Sequence, residues 1–196
     1  ISMLSKIKHL ERILRCKTTL VVISFVFFVL LAIYGFIKKE PAFRYKNNTE
    51  FIHSLNKCIN HINFSLPYNQ QIPTKLIQTQ AALESNYGRS RFAIEGNNLM
   101  GIYQFRNLHT GMIPAKNPNA PFRVAKFDSK CGSVKYYVEL LNTKDAYLAF
   151  RNERKYQIEH NVNDVYRYFN KFGKYSTNPD YPVLLIKTQK ELVALG

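Results

Sequence analysis

Residues 80–93 read QAALESNYGRSRFA, and this stretch carries the most informative pattern in the sequence. Ile77, Ala81 and Glu84 fall at positions i, i+4 and i+7, so they share one face of a predicted helix. A carboxylate on such a face, near the carboxyl end of its helix, is disfavoured by desolvation and by the helix dipole. Both effects raise its pKa, as a general acid in glycoside cleavage requires. Spacing alone leaves an exposed helical glutamate as the alternative.

Helical patterns surround this stretch on both sides. Apolar residues recur every three or four positions from Thr49, the expected N-cap of the first helix. Pro73 suits the first turn of a helix that runs to about Tyr87, with Gly88 at its end. Aromatic and β-branched stretches within residues 101–127 predict a small β-hairpin with a long loop. Further helices are expected after Asp128 or Ser129, after Asp145, from about Asn163 to near Gly173, and from Asp180–Pro182 to the C-terminus.

Residues 18–37 contain no charged side chain. Twenty residues of helix span about 30 Å, the thickness of the hydrocarbon core of a bilayer. A signal peptide has a shorter apolar region and a small-residue cleavage site, so an uncleaved transmembrane helix is predicted. We therefore expect a short cytoplasmic N-terminus (1–17), a transmembrane helix (18–37), a linker (38–48) and a domain (49–196). The domain would lie on the periplasmic or wall side of the cytoplasmic membrane, and the helix could meet a membrane-protein partner.

The composition is strongly basic, with 28 Lys and Arg against 13 Asp and Glu and a net charge of +15. Residues 1–17 contribute +4 and residues 38–46 contribute +3, so nearly half the excess flanks the apolar segment. Such flanks favour anionic lipid head groups, and we expect no nucleic-acid partner. The chain also has 13 Tyr and 14 Phe, which excludes a long disordered protein.

Cysteine and histidine positions predict no metal site and no cofactor. The sequence has no CxxC motif and no Cys/His spacing typical of zinc. Cys58 and Cys131 would both lie outside the cytoplasm, where oxidation is possible. Two buried free thiols are the favoured state, and whether the two residues pair is left open.

Several motifs in register resemble one family. They are QAALES (80–85), YGRS (87–90), NNLMGI (97–102), VAKFDS (124–129), SVKY (133–136), LNTKDAY (141–147) and YSTNPDY (175–181). Together they resemble the glucosaminidase domain of bacterial cell-wall hydrolases, glycoside hydrolase family 73, which includes the flagellar peptidoglycan hydrolases and the Bax-like proteins. The resemblance covers roughly residues 70–190.

The resemblance implies a mainly α (α+β), lysozyme-like domain with a small β-hairpin lobe. It also implies an autolysin-type endo-β-N-acetylglucosaminidase that cleaves the β-1,4 bond after N-acetylglucosamine in peptidoglycan. Glu84 matches the general acid, and Tyr175 matches a tyrosine that orients the substrate's acetamido group. A purely structural turn remains open for Asn98, and core packing remains open for Tyr103. The candidate substrate-binding residues are Asn98, Tyr103, Tyr87 and Tyr181.

A second catalytic carboxylate is hard to find in the sequence. Residues 96–127, which would form the lobe, contain no Asp or Glu. The secondary candidates are Glu95 before the lobe and Asp128 after it, although Asp128 is better suited to cap a helix. Either the substrate's 2-acetamido oxygen attacks the anomeric carbon, or Glu95 moves inward. Retention or inversion of configuration stays open.

Two other functions compete with the glucosaminidase. A lytic transglycosylase or muramidase of the same fold would also use a glutamate at a helix end. A catalytically silent wall-binding scaffold in an envelope complex is the alternative from another functional class. The NNLMGI and YSTNPDY motifs favour the glucosaminidase, and intact Glu84 and Tyr175 argue against the scaffold.

Overall fold

A computed structural model gives the fold, and the chain divides into two units, residues 1–40 and residues 41–196. The structure describes residues 19, 21–31, 35, 39–114, 117–173 and 175–195, without the side chain of Leu108. In the first unit, residues 21–31 are helical. No helix in the described part of the chain combines the length and the apolar character needed to cross a membrane. The predicted N-terminus (1–17) lies outside the described residues. Of the predicted span (18–37), the structure describes residues 19, 21–31 and 35.

The described residues of the second unit are mostly helical, with a small antiparallel β-ribbon, which confirms the mainly helical class with a β-hairpin predicted for the domain. In this ribbon, Tyr103 pairs with Val124 and Gln104 pairs with Arg123. Short 3₁₀ turns interrupt the connections between the helices. The elements are α1 (Asn48–Phe64), α2 (Thr74–Ser85), α3 (Arg91–Glu95), β1 (Tyr103–Gln104), β2 (Arg123–Val124), α4 (Lys130–Thr143), α5 (Leu148–Glu159) and α6 (Tyr181–Leu195).

The predicted cap of the first helix is wrong by two residues. Asn47, not Thr49, caps α1, because its side chain accepts a hydrogen bond of 2.9 Å from the backbone N–H of Glu50. Of the two caps predicted for α4, Ser129 is the one that the structure shows, with its Oγ 2.8 Å from the N–H of Gly132. Asp128 is therefore an exposed residue that precedes the helix without capping it.

The predicted cap at Asp145 is also wrong. Residues Asp145–Tyr147 form a 3₁₀ turn, and α5 begins only at Leu148. Tyr147 stands at the N-cap position and makes no side-chain capping bond there.

The helix predicted from about Asn163 to near Gly173 is absent, and a 3₁₀ turn (Val165–Tyr168) stands in its place. The Gln157 side chain holds both backbone groups of Asp164, accepting from its N–H (3.0 Å) and donating to its carbonyl (2.9 Å). The side chain of Asp164 then accepts from the N–H of Tyr166 at 2.9 Å. Tyr168, Phe169 and Phe172 are buried in the core, so tertiary packing overrides the helical pattern here.

Helix α2 forms the centre of the core. Leu76, Ile77, Ala81 and Ala82 are all at most 1% exposed, because α2 packs against both α1 and α6. Thr79 on α2 also donates a 2.5 Å hydrogen bond to the Gln189 side chain on α6. A helix enclosed in this way holds the residues at its carboxyl end in fixed positions.

A disulfide joins Cys58 on α1 to Cys131 on α4, so the favoured expectation of two free thiols is wrong. The Cα atoms lie 5.3 Å apart, within the range that a disulfide spans. The two helices are packed against each other, which brings together residues separated by 73 positions.

Replacing both cysteines by alanine is expected to lower the free energy of unfolding by about 4 kcal/mol, because the bond closes a long loop in the unfolded chain. The loss would be measured by urea unfolding with and without dithiothreitol. Reductant should destabilise the wild type by a similar amount and leave the double variant unchanged. Equal stability of the wild type under both conditions would contradict the prediction.

Candidate active site

Glu84 lies in the last turn of α2, where the helix stops abruptly. Asn86, Tyr87 and Gly88 follow with φ angles of 50°, 54° and 78°, all in the left-handed region. The helix thus ends at Ser85 and not at Tyr87 as predicted. Ser85 Oγ accepts a 2.8 Å hydrogen bond from the N–H of Gly88 and so stabilises this reversal.

Two residues that are distant in sequence contact the carboxylate of Glu84. The hydroxyl of Tyr181, at the start of α6, donates a 2.7 Å hydrogen bond to Oε1. Gly101, just before β1, lies so close that a Cβ added to it would stand 2.6 Å from Oε2. Tyr181, predicted as a substrate-binding residue, is only 7% exposed and acts on the carboxylate itself.

A chain of buried donors leads to this hydrogen bond. The Tyr137 hydroxyl donates to Gln80 Oε1, and Gln80 Nε2 donates to the Tyr181 oxygen at 2.9 Å. Tyr181 must then direct its own proton toward Glu84. Tyr137 and Gln80 are fully buried, so the orientation of the chain is fixed. The sequence analysis assigned neither residue a function, although Gln80 precedes Glu84 by one helical turn on the same face.

Burial raises the pKa of Glu84, and the hydrogen bond from Tyr181 lowers it in part. The net shift of the pKa is upward, in the direction predicted for a general acid. Burial also raises the pKa of Tyr137, Tyr175 and Tyr181 well above 10, and the charge of Glu84 adds to each shift. The carboxyl group is therefore surrounded by tyrosines that remain neutral, and it can donate a proton to a bound group.

Tyr175 lies beside Tyr181, and its hydroxyl donates a hydrogen bond within the protein. The hydroxyl donates to the backbone carbonyl of Met100, directly before Gly101. The ring stacks on Tyr181, with a centroid separation of 6.0 Å and an interplanar angle of 21°. Tyr175 therefore ties the turn at Gly101 to the tyrosine that contacts Glu84. Only the lone pairs of its oxygen are left for a substrate in this arrangement.

Asn98 organises the turn that brings Gly101 to Glu84. Its Nδ2 donates to the carbonyls of Ile102 and Ala125, both at 2.9 Å, and its Oδ1 accepts from the N–H of Ile102 at 3.0 Å. The side chain is 1% exposed. These contacts support the structural turn role of Asn98, and its contact with substrate stays a prediction.

Tyr87 is not brought together with Glu84. Its left-handed backbone turns the ring into the core, where it is 8% exposed and lies 6.0 Å from the ring of Phe51. The Arg89 guanidinium lies over the same ring at 5.5 Å. In this structure the ring packs between Phe51 and Arg89, and substrate binding by Tyr87 stays a prediction.

Tyr103, Phe105 and Phe122 form an aromatic cluster at the β-ribbon, in which Tyr103 and Phe105 are exposed and Phe122 is partly buried. The ring of Phe122 lies 4.5 Å from that of Tyr103 and 5.9 Å from that of Phe105. Tyr103 is 52% exposed, so it is not the core residue that the alternative proposed. Partial burial raises the pKa of Tyr103 and the charge of Glu84 raises it further, which places this ring near the carboxylate. Phe105 and Phe122 are not among the residues predicted from the sequence, although alternation along a strand puts Phe105 on the same side as Tyr103.

In the described interactions, neither Glu95 nor Asp128 contacts Glu84 or its hydrogen-bond partners. Glu95, at the end of α3, is 57% exposed and lies 4.0 Å from Arg91 in an i, i+4 ion pair. Asp128 is exposed, and its backbone carbonyl accepts from Asn97 at 3.3 Å. Within the part of the chain that the structure describes, no group of three or more His, Cys, Asp or Glu could hold a metal ion.

Known proteins are similar to this chain in sequence and in fold. "Protein bax" of Escherichia coli (strain K12) is 40% identical over 86 residues, which cover 42% of this chain and 28% of that relative. The structure of a C-terminally truncated glycoside hydrolase domain from Salmonella typhimurium FlgJ has a similar fold, with a TM-score of 0.51. That match covers 76% of this chain and all of the other, at 20% identity. The family model for mannosyl-glycoprotein endo-beta-N-acetylglucosaminidase matches residues 66–193. Because this match includes well over half of the sequence, the chain belongs to the glucosaminidase family.

Proposed function

We propose that this protein is an endo-β-N-acetylglucosaminidase that hydrolyses the β-1,4 bond after N-acetylglucosamine in peptidoglycan, with Glu84 as the general acid. One observation carries the proposal: in a glucosaminidase-family domain, a partly buried carboxyl with a raised pKa is held between Tyr181 and Gly101. The Salmonella relative described as a glycoside hydrolase domain has the same fold, which agrees with a hydrolytic reaction.

The first chemical step needs a proton at the glycosidic oxygen. Protonated Glu84 donates it while the bond between the anomeric carbon and that oxygen breaks, so the leaving sugar departs with a neutral hydroxyl. The carboxylate that remains is stabilised by the hydrogen bond from Tyr181. The neutral side chains of Tyr137 and Gln80 keep the Tyr181 hydroxyl directed at Glu84, whether Glu84 is protonated or charged.

The substrate itself supplies the nucleophile in this proposal. The oxygen of the 2-acetamido group forms a bond to the anomeric carbon and gives an oxazolinium ion. Water then attacks the same carbon, the bond to the acetamido oxygen breaks, and the Glu84 carboxylate takes the proton from water. The exposed, Arg91-paired position of Glu95 and the absence of acidic residues in 96–127 support a mechanism with one protein carboxylate.

The experiment that tests the function is digestion of purified peptidoglycan by the full chain in mild detergent, followed by mass spectrometry of the products. We expect new reducing-end N-acetylglucosamine. A 1,6-anhydro sugar would indicate a lytic transglycosylase, and reducing-end N-acetylmuramic acid would indicate a muramidase. Sedimentation with sacculi without any product would indicate the wall-binding scaffold.

Replacing Tyr181 by phenylalanine is expected to move the alkaline limb of the kcat/KM profile to higher pH. The hydroxyl stabilises the charged form of Glu84, so its removal raises the pKa of Glu84 further and keeps the acid protonated at higher pH. Tyr175→Phe is the matched control, because its hydroxyl bonds to the Met100 carbonyl and not to Glu84. A limb that moves to lower pH in Tyr181→Phe would contradict the assignment.

Replacing Phe122 by alanine is expected to raise KM for soluble glycan oligomers by about 2- to 10-fold, with kcat nearly unchanged. Phe122 touches both other rings of the aromatic cluster, and aromatic contacts are worth about 0.5–1.5 kcal/mol each. Phe64→Ala is the control, because Phe64 is an exposed ring at the end of α1. An equal change in KM for both variants would show that the cluster has no special part in substrate binding.

We also propose that residues 18–37 anchor the protein in the cytoplasmic membrane, with the domain on the outer side. The uncharged sequence of this segment, its basic flanks and the disulfide between Cys58 and Cys131 support this placement. Carbonate extraction of membranes should leave the protein in the pellet, and protease added to spheroplasts should degrade the domain. Release by carbonate or full protection from protease would contradict the topology.

A further inference from the structure

A short segment before α1, residues 41–46, packs onto the domain although it has no regular secondary structure, and we call it the strap. Its residues alternate in exposure: Pro41, Phe43 and Tyr45 are partly buried, and the other three are exposed. Such alternation puts successive side chains on opposite faces of an extended chain. The strap lies within the predicted linker and outside residues 66–193, which the family model matches, so the family resemblance assigns it no role.

Aromatic packing holds the strap against α1. The ring of Tyr45 lies 5.3 Å from that of Phe51, and the ring of Phe43 lies 5.6 Å from both. All three pairs meet edge to face, which is a favourable arrangement for aromatic rings. Ser54, on the same helix, donates a hydrogen bond to the backbone carbonyl of Arg44. Ring contacts and a hydrogen bond next to Tyr45 therefore fix the place of its side chain.

The Tyr45 hydroxyl reaches the reversal that ends α2. It donates a 2.6 Å hydrogen bond to the backbone carbonyl of Gly88, which is a buried residue. A buried carbonyl without a donor is unfavourable, so Tyr45 satisfies a group that the end of the helix leaves open. Gly88 has a φ of 78°, and a Cβ added to it would stand 2.5 Å from the Tyr45 hydroxyl oxygen. The close approach of the strap therefore requires glycine at this position.

Gly88 is held at both of its backbone groups. Tyr45 binds its carbonyl, and its N–H donates to Ser85 Oγ at 2.8 Å. Ser85 Oγ in turn donates to the Ala81 carbonyl at 2.5 Å, so the reversal is tied back to the last turn of α2. Glu84 lies in that turn, directly before Ser85. The reversal cannot shift without breaking one of these hydrogen bonds, and a shift would displace the carboxyl group.

We propose that Tyr45 is a positioning residue for Glu84. The strap, held through Tyr45, fixes the reversal after α2 and so keeps the Glu84 carboxyl in contact with Tyr181 and beside Gly101. The proposal rests on the proposed function, because that function gives Glu84 its catalytic role. It adds that the geometry of the active site depends on a segment outside the residues that the family model matches.

The first test is Tyr45→Phe in the full chain in mild detergent, because this change removes the hydroxyl and keeps the ring on Phe51. The Glu84 carboxyl would be titrated by NMR with isotope-labelled glutamate, its signal being the one absent in Glu84→Gln. Burial is the larger of the two causes that act on this pKa, and a looser turn exposes the carboxyl, so we expect the pKa to fall. The amide hydrogen of Gly88 should exchange about 5-fold faster.

Turnover separates positioning from general stability. We expect Tyr45→Phe to lower kcat on soluble glycan fragments by about 3- to 10-fold, with KM within about 2-fold of the wild type. Gln71→Met is the matched control, because Gln71 Nε2 donates to the carbonyls of Asn63 and Leu66, at 3.1 and 3.2 Å, at the end of α1. It removes a similar support from a helix that does not carry Glu84. It should lose stability and keep the wild-type kcat and Glu84 pKa.

A Glu84 pKa that stays unchanged or rises in Tyr45→Phe would overturn the proposal. Equal changes of kcat and of the Glu84 pKa in Gln71→Met would also overturn it, because they would reflect general loss of stability. A wild type that releases no glycan product would contradict the proposed function, whereas the titration of Glu84 and the exchange of Gly88 do not depend on turnover and would still decide the role of Tyr45.

Discussion

Replacing Glu84 by glutamine is expected to lower kcat/KM on peptidoglycan by roughly 10²–10⁴-fold, the usual contribution of a general acid. The amide has nearly the same shape and can still accept the hydrogen bond from Tyr181, but it cannot protonate a leaving group. Product release from sacculi would be measured by mass spectrometry. Glu95→Gln and Asp128→Asn are the matched controls and should stay active, because both side chains are away from this contact network.

The same variant should be more stable than the wild type at neutral pH. Burial raises the pKa of Glu84 in the folded state, so the folded protein loses stability as pH rises from the unfolded-state pKa through the folded one. Glutamine carries no charge, so the variant does not lose stability in this way as pH rises. Urea unfolding should show a stability gain at pH 8 and little gain at about pH 3, below the ordinary pKa of glutamate, where Glu84 is mostly protonated in the folded and the unfolded state. For the activity prediction, an active Glu84→Gln variant together with an inactive Glu95→Gln variant would show that Glu95, and not Glu84, is the catalytic acid.

Replacing Gly101 by alanine is expected to reduce activity by roughly 100-fold, because small displacements of a catalytic group have effects of this size. The new methyl carbon would stand 2.6 Å from Glu84 Oε2, so the carboxylate must move away from its place beside Tyr181. The change would be measured as kcat/KM on soluble glycan fragments. The alkaline limb of the pH profile should also shift, since the hydrogen bond from Tyr181 would be disturbed.

Gly173→Ala separates this contact from backbone strain. Gly173 has a φ of 53° and Gly101 a φ of 63°, so alanine is similarly strained at both, by about 1–2 kcal/mol. The nearest atom to a new Cβ at Gly173 is the Ala146 carbonyl oxygen at 3.3 Å. Both variants should lose stability to a similar extent, whereas only Gly101→Ala should lose most activity. Equal losses of activity would mean that strain, and not contact with Glu84, explains the effect.

Local pattern predicted the elements whose cause is local. The apolar spacing around Glu84 predicts its helix, and Pro73 lies at the start of that helix, as expected. The aromatic and β-branched stretches on both sides of a long loop predict the β-ribbon. The helix predicted after Asn163 does not form, because the cause here is not local. The Gln157 side chain and the burial of Phe169 and Phe172 stop a helix that the pattern favours.

Tyr87 shows that nearness in sequence to Glu84 does not fix where a side chain lies. It stands three residues after Glu84, and the family resemblance made it a candidate substrate-binding residue. The helix ends at Ser85, and the left-handed φ of Tyr87 turns its ring toward Phe51. Tyr181 lies 97 residues from Glu84 and yet donates a hydrogen bond to it.

By itself, the sequence determined the family, the mostly helical class and the position of one glutamate at a helix end, because motifs and helical periodicity are local properties. Only the tertiary structure decided what surrounds that glutamate: the donor chain from Tyr137 through Gln80 to Tyr181, and the close approach of Gly101. It also decided the disulfide across 73 residues. The pKa of a carboxyl group depends on its burial and on the donors that face it, and both arise only when distant segments pack together.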